Sequence, residues 1–273
     1  FPLAKGACTA DFGQQGFTVD DSTFKYLHTG NLPAPAITDP SSAFNVLEFS
    51  GTGAERDTVF GGNSKLSPDL TIFRDDLASG VWAFTDKVRG ATEELDLAST
   101  SGGENTVAEG VKNFAPSSDE LDGVTLGTDV DYNADGIDIT MYGWKEGVTQ
   151  GFDIVTYTGN DSATQTVGHN LDVKPGYMIL MRRDTGMQST AWHTALTGDN
   201  YMVTMSTVGY GTETASSSNF AASHDLDNFV VDNTGNTENG TYVMYLWADV
   251  PGFQKHGSFT GNGNNDGPFI WTG

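Results

Sequence analysis

The sequence repeats itself, and this repeat constrains the fold more than any other feature. Similar runs begin at Phe44 ("FNVLEFSGTG") and Phe152 ("FDIVTYTGND"), and a third begins at Phe253 ("FQKHGSFTGNG"). The first two copies match onward until both end on a strand-like run, where Trp144 corresponds to Trp247. A repeat unit of about 100 residues is a common domain size, so the pattern predicts two tandem domains.

These matches divide the chain into four parts. An N-terminal segment with a proline-rich linker covers residues 1–43, unit 1 covers 44–151, and unit 2 covers 152–252. Residues 253–273 are interpreted either as the start of a third unit or as an edge strand that completes unit 2. An edge strand there would cover an otherwise open sheet edge.

The coarse pattern of both units is that of β-strands. Short runs rich in β-branched and aromatic residues alternate with Gly, Asn, Asp and Ser clusters. This predicts an all-β fold: two tandem β-sandwich repeats, lectin-like or jelly-roll-like, after an extended linker. Only "GGENTVAEGVKNF" is expected to hold a helical turn. The strand runs are "VLEFSG", "DLTIFRDD", "GVWAFTD", "GIDITMYGW", "FDIVTYTG", "YMILMRRD", "NYMVTMST", "NFVVDN" and "TYVMYLW".

Four tryptophans recur in both units, Trp82 opposite Trp192 and Trp144 opposite Trp247. Side chains shared by both copies are expected to pack in the core rather than to bind a ligand. Trp271 lies beyond the aligned region.

Residues that differ between the copies are better candidates for binding, because loops on a rigid sandwich commonly carry function. Tyr201, Tyr210 and His193 of unit 2 are the candidate ligand-binding residues, and the two tyrosines are expected to stack on sugar rings.

The composition excludes several classes of partner. The formal net charge is −23, from 13 Lys and Arg against 36 Asp and Glu. Such a surface repels phosphate backbones and anionic lipids, so neither nucleic acid nor membrane insertion is expected. The single cysteine, Cys8, cannot form an internal disulfide, and stability must come from packing.

No catalytic motif is present. The five histidines are not spaced as metal ligands, and the chain has no nucleophile elbow, P-loop or dinucleotide fingerprint. Paired carboxylates could serve a glycosidase, but no pair stands out. The chain is therefore expected not to be an enzyme.

One segment, "DVDYNADGID", imitates the first half of a calcium-binding loop. Asp131, Asn133 and Asp135 supply alternate oxygens before Gly136, but Tyr142 stands where a bidentate Glu is required. Unit 2 has no matching carboxylates, with Gly235, Thr237 and Asn239 aligned to the three. A hairpin turn alone is favoured, with a calcium site as the alternative and no other cofactor.

Several phrases together carry a resemblance to a known family. "ADFGQQGF", the linker "FKYLHTGNLPAPAITDPSSAF", and the unit phrases "TVGHNLDVKPGYMILMRRD" and "NGTYVMYLWADVPGF" are its most specific parts. The chain resembles the repetitive C-terminal region of structural and tail-fibre-like proteins of tailed bacteriophages, which follows a concanavalin-like or SPRY-like sandwich.

The resemblance implies a noncatalytic virion protein at the particle surface, in a tail fibre or another appendage. Its expected partners are other virion proteins, further copies of itself in a homo-oligomer, and host-cell surface glycans. Two alternatives stay open: a capsid decoration or spacer protein, and a secreted bacterial lectin or adhesin.

Overall fold

A computed structural model describes residues 35–62, 65–76, 82–97, 103–116, 122–196, 201–204, 213–215, 219–221 and 223–270, with the backbone alone for 201–204 and 213–215. Cys8 and Trp271 lie outside these residues.

Unit 1 forms one large and one small antiparallel sheet. Large sheet 1 has the strand order β1-β9-β3-β4-β5-β6, and small sheet 1 has the order β2-β8-β7. The elements are β1 (Phe44–Ser50), β2 (Arg56–Thr58), β3 (Leu70–Asp75), β4 (Trp82–Asp86), β5 (Gly90–Asp96), β6 (Asn105–Thr106), β7 (Val111–Asn113), β8 (Val124–Leu126), the helix α1 (Val130–Asn133) and β9 (Asp138–Trp144).

Unit 2 repeats this arrangement. Large sheet 2 has the order β10-β17-β12-β13-β14-β15, and small sheet 2 pairs β11 with β16. A short 3₁₀ helix, Asn233–Asn236, stands in the place of α1. The strands are β10 (Phe152–Thr158), β11 (Gln165–Gly168), β12 (Tyr177–Arg182), β13 (Thr190–His193), β14 (Tyr201–Thr204), β15 (Glu213–Ala215), β16 (Asn228–Val231) and β17 (Thr241–Trp247).

The two large sheets pack face to face and share a core. Their inner faces meet in one hydrophobic cluster that includes Ile72 and Phe84 of unit 1 and Ile179, Tyr245 and Trp247 of unit 2. Each outer face packs under the small sheet of its own unit. The all-β sandwich class is confirmed. The two sandwiches pack as four successive layers, because their large sheets share one core.

Strand register defines the equivalence of the units. Trp144 pairs with Phe44 as Trp247 pairs with Phe152. The alignment of Trp82 with Trp192 was wrong, because Thr85 takes the register position of Trp192. The two hairpins have the same length, so aligning these tryptophans introduced a gap that the fold lacks.

All four tryptophans nevertheless pack against hydrophobic clusters, as predicted from the sequence. Trp192 and Trp247 are buried, while Trp82 and Trp144 are half-buried at the margin of the inter-sheet core. Trp192 lies on the opposite, outer face of its sheet, under small sheet 2.

A buried polar network also joins the units. The Tyr245 hydroxyl donates to Asp86 Oδ2 at 2.8 Å, and Asp86 pairs with Arg89. Arg89 continues to Glu104 at 2.9 Å, and Glu104 reaches Arg183 of unit 2 at 2.7 Å. Burial alone would lower the pKa of Arg89, but its carboxylate partners raise it. The charge is therefore held inside the protein with its partners.

The end of the linker packs on the turn that follows β17. Ile37 and Ala43 form a small cluster with Val250 and Phe253. The short 3₁₀ helix Pro40–Ser42 leads directly into β1. The described part of the linker thus lies along the surface, as its prolines predict.

Residues 258–270 do not complete unit 2. Within this described segment there is no strand, and Phe259, Phe269 and Ile270 are exposed. The edge-strand interpretation is therefore wrong for these residues, while the start of a third unit stays a prediction. The helical turn expected in "GGENTVAEGVKNF" is also wrong, since β6 and β7 lie there.

Candidate binding groove between the units

A groove of about 420 Å³ opens where the ends of the two large sheets meet. Unit 1 contributes Phe44, Ile72 and Trp144, and unit 2 contributes Tyr177 and Trp247. We call it the inter-unit groove. These side chains reach one place because β9 and β17 end beside each other before the chain turns away.

Aromatic rings form most of the walls of this groove. Trp144 meets Trp247 edge to face at 5.9 Å between ring centroids, and Phe44 lies 4.7 Å from Trp144. Tyr177 lies 5.5 Å from Trp247. Such contacts hold the rings in fixed orientations, so the groove is formed before any ligand arrives.

The first residues of the third copy close one side of the groove. Phe253, Gln254 and His256 line it. Gln254 Nε2 donates to the carbonyl of Gly151 at 3.0 Å, which fixes this segment to the junction of the units. The His256 ring stacks on Tyr177, with 17° between the ring planes and 6.4 Å between centroids.

Asp249 anchors that wall. Its Oδ1 accepts from the His256 backbone N–H at 2.8 Å, and its Oδ2 lies 2.9 Å from Lys255 Nζ. Burial tends to raise the pKa of Asp249, but hydrogen bonds from Lys255 and His256 outweigh it and lower the pKa. Asp249 is thus a carboxylate at neutral pH, and the polar side chains of Gln254 and His256 form the rim on this side of the aromatic groove.

Burial shifts the pKa values of two other titratable groups beside the groove, Tyr177 and His193. It raises the pKa of Tyr177 to about 12, so the phenol remains protonated. It lowers the pKa of His193, and the nearby His256 lowers it further against the opposing effect of Asp249. A neutral imidazole and a phenol are both suited to hydrogen bonds with uncharged hydroxyl groups.

A family model described as a domain of unknown function (DUF7483) matches residues 39–273. The chain belongs to this family. No curated protein and no solved structure matches it. The matched range includes both units and the residues that form both sides of the inter-unit groove, in agreement with their shared core.

One of the three predicted ligand-binding residues lies beside the groove. His193 pairs in register with Tyr177, and its ring centroid is 6.2 Å from that of His256. Tyr201 begins β14, and Tyr210 lies outside the described residues. The predicted sugar-stacking role of these two tyrosines stays a prediction.

Sequence reasoning missed the aromatic residues that do line the groove. It assigned Trp144 to the core because unit 2 shares it, yet Trp144 is half-buried and Trp247 is buried. A signal was present in the strands: "DITMYGW" alternates, whereas "TYVMYLW" is apolar almost throughout. Only the second pattern is typical of a strand covered on both faces.

Asn133 of the predicted calcium segment holds a loop. Its Nδ2 donates to the carbonyls of Ala54 at 2.7 Å and Gly127 at 2.8 Å, and its Oδ1 accepts from Thr52 N–H at 2.9 Å. Asn236 makes the equivalent contacts in unit 2 and is also fully buried. The sequence alignment, which placed Thr237 there, was off by one residue.

Asp131 and Asp135, the other two predicted calcium ligands, belong to a short helix and to the turn that follows it. Asp131 lies in α1 and Asp135 is exposed. Burial raises the pKa of Asp131, and the charges of nearby carboxylates, Asp129 first among them, raise it further. Among the described residues, no three His, Cys, Asp or Glu side chains are grouped as metal ligands. A turn with positive φ at Gly136 is present, but it is not the favoured hairpin, because α1 precedes it and the flanking strands β8 and β9 belong to different sheets.

One pair of carboxyl groups lies at the junction of the units. Burial, followed by a hydrogen bond with Asp153, raises the pKa of Glu146 to about 7. Asp153 is buried and accepts from the backbone N–H groups of Ile154 and Asn170. Glycosidase carboxyl groups stand about 5–9.5 Å apart with the sugar between them. These two contact each other, which favours a structural role.

In the described part of the chain, no helix is long and apolar enough to cross a membrane.

Proposed function

We propose that this chain is a noncatalytic glycan-binding component of a virion surface appendage, and that a sugar ring stacks in the inter-unit groove. The observation that carries the binding role is the groove itself, with an aromatic floor and a polar rim. The apolar face of a sugar ring matches an aromatic floor, while its hydroxyl groups match hydrogen-bonding groups at the rim.

The electrostatics favour a neutral ligand. The chain carries a net charge of −23, and Asp249 adds a carboxylate at the rim. An anionic polysaccharide would meet repulsion on approach. Uncharged sugars have no such penalty, and the side-chain oxygen of Gln254 can accept a hydrogen bond from a sugar hydroxyl group.

The virion assignment rests on the resemblance to structural and tail-fibre-like phage proteins. A homo-oligomer of such chains would bind weak sugar ligands through several sites at once, since avidity multiplies modest affinities. Under this proposal, the chain lies at the outer surface of the virion.

Binding is tested by applying the labelled full chain to a glycan array. The proposal expects retention on neutral glycans, reduced at least about tenfold by Trp144→Ala, which removes one groove wall. Phe269→Ala is the matched control, because Phe269 is an aromatic residue that is 90% exposed and outside the groove. Equal retention of both variants would refute the groove, and no retention of the unaltered chain would refute glycan binding.

The location is tested separately by antibodies against residues 152–250 and electron microscopy of particles from the source organism. Label at the ends of tail appendages supports attachment. Label on the head would instead make the chain a decoration or spacer protein. Label on cells with bare particles would make it a secreted lectin or adhesin.

A further inference from the structure

Unit 1 contributes to the inter-unit groove through residues of β1, β9 and β3, and one side of these strands continues beyond the groove as a face of large sheet 1. Side chains alternate along a strand, so every second residue of β1, β9 and β3 points to the same side, where Ile72 of β3 is buried in the inter-sheet core and only Arg74 of β3 joins the face. We call it the open face. Its rows, read from the strand register, are Phe44 with Trp144, Val46 with Tyr142, Glu48 with Thr140 and Arg74, and Ser50 with Asp138.

A flat row of aromatic rings runs across the open face. Tyr142 lies 6.3 Å from Trp144 with 24° between the ring planes, and 6.2 Å from Trp82 with 28° between them. The Arg74 guanidinium lies 5.8 Å above the Trp82 ring. Val46, between the grooves on the edge strand, is 40% exposed. The middle of the face is therefore a half-buried row of aromatic rings, with the exposed Val46 on its edge strand.

A second groove, of about 590 Å³, lies at the far end of the same strands. Glu48, Arg74 and Thr140 line it together with Ser50 and Asp138. We call it the polar groove. Arg74 is paired with Asp75 through Nη1 at 3.1 Å, and its other guanidinium donors stand beside the hydroxyl and carboxylate acceptors of the groove, a mixture that can bond to sugar hydroxyl groups.

Unit 2 shows that this exposure is specific to unit 1. The residues equivalent to Tyr142 and Thr140 are Tyr245 and Val243, and both are fully buried in the core between the large sheets. Ile154, which corresponds to Val46, is buried as well. The same strand positions thus lie in the core in unit 2 and at its partly exposed margin in unit 1.

We propose that one extended neutral glycan lies along the open face and occupies the inter-unit groove and the polar groove together. The inference rests on the proposed function and deepens it by stating the ligand class. From Trp144 to Asp138 the face is about 20 Å long, at about 3.4 Å per residue, which accommodates several sugar rings. The carboxylates of Glu48 and Asp138 disfavour acidic polysaccharides.

The test is calorimetric titration of the full chain with cello- and chito-oligosaccharides of two to six rings. We expect the affinity in at least one series to rise at least about tenfold from the dimer to the hexamer, as a few added hydrogen bonds would give. Galacturonate hexamer, of the same length but anionic, is expected not to bind. Equal affinities for dimer and hexamer, or tighter binding of the galacturonate, would overturn the inference.

Two variants locate the far end of the ligand. Glu48→Ala and Thr140→Val are each expected to weaken hexamer binding about fivefold and to leave dimer binding unchanged, with Phe269→Ala as the unaffected control. A loss that is equal for dimer and hexamer would mean that the polar groove is no separate subsite.

The outcomes separate this inference from the proposed function. If the array retains other neutral glycans but neither oligosaccharide series binds, the extended-chain inference is refuted and glycan binding still stands. No retention of any glycan on the array sinks both.

Discussion

Replacing Tyr245 by phenylalanine tests whether the two units are joined through a buried polar network. Tyr245 is fully buried in large sheet 2, and its hydroxyl donates across the core to Asp86 Oδ2 of large sheet 1 at 2.8 Å. A hydrogen bond to a charged group contributes about 1.5–3 kcal/mol. Tyr245→Phe is therefore expected to lower the free energy of unfolding by about 2 kcal/mol.

Two features of the site fix that magnitude. Burial raises the pKa of Tyr245 well above its ordinary value, so the hydroxyl keeps its proton and donates throughout the neutral range. In the variant, Asp86 would still accept from the Arg89 backbone N–H at 2.8 Å and from its guanidinium. No buried charge is left unpaired, so the larger penalty of a broken ion pair does not apply.

The assay is urea unfolding followed by circular dichroism, with Tyr157→Phe as the matched control. The Tyr157 hydroxyl donates at 2.7 Å to the neutral carbonyl of Gly235 within unit 2, so its loss should cost about 1 kcal/mol. Because the large sheets share a core, both variants should unfold in one transition. A smaller cost for Tyr245→Phe than for the control, or a separate transition for unit 1, would refute the reasoning.

Two further predictions concern buried polar groups. Asn133→Ala and Asn236→Ala should each lower the free energy of unfolding by roughly 2–4 kcal/mol, because each removes the partner of several loop hydrogen bonds. Urea titrations measure this cost, and a value below about 1 kcal/mol would contradict the role of these side chains in holding the loops. Glu146 has a raised pKa in the folded state, so stability should fall as pH rises from about 4.5 to about 7. Glu146→Gln should remove this fall and gain about 1 kcal/mol at pH 8 after solvent screening, measured by unfolding at pH 5 and pH 8; an unchanged pH dependence would argue against the raised pKa of Glu146.

Local pattern was enough to predict the class of fold and most of the long strands. The runs that became β3, β9, β10, β12 and β17 combine β-branched residues, aromatic residues and bounding turns, and each gave the strand expected. Short strands such as β2, Arg56–Thr58, were missed. Three residues contain too little alternation to be distinguished from a loop.

The packing of the units against each other could not be predicted from the repeat alone. Self-similarity says that two domains share a fold, but not which of their faces meet. The interface depends on small departures from the repeat, such as Thr140 against Val243 and Val46 against Ile154. In each pair the more apolar residue is the buried one, and the difference is visible only after register is known.

Register also decided the interpretation of the calcium-like segment. A shift of one residue separated Asn133 from Asn236 and made the first appear to be an isolated candidate ligand. With the hydrogen bonds of Gly136 and Asn239 as markers, the two asparagines coincide. A polar residue that is buried and bonded in both copies is explained by the fold that they share.

The open face follows from the same duplication. Two identical sandwiches packed face to face would bury the same strand positions equally, yet Tyr245 is enclosed where Tyr142 is half-exposed. The large sheets are therefore offset, with β1 and its neighbours extending past the cover of large sheet 2. Aromatic residues that are buried in the core of unit 2 are half-exposed at the equivalent positions of unit 1. Val46→Ile, which introduces the larger side chain of the equivalent Ile154, should leave this face open, because its exposure is set by the offset of the sheets and not by the size of that side chain.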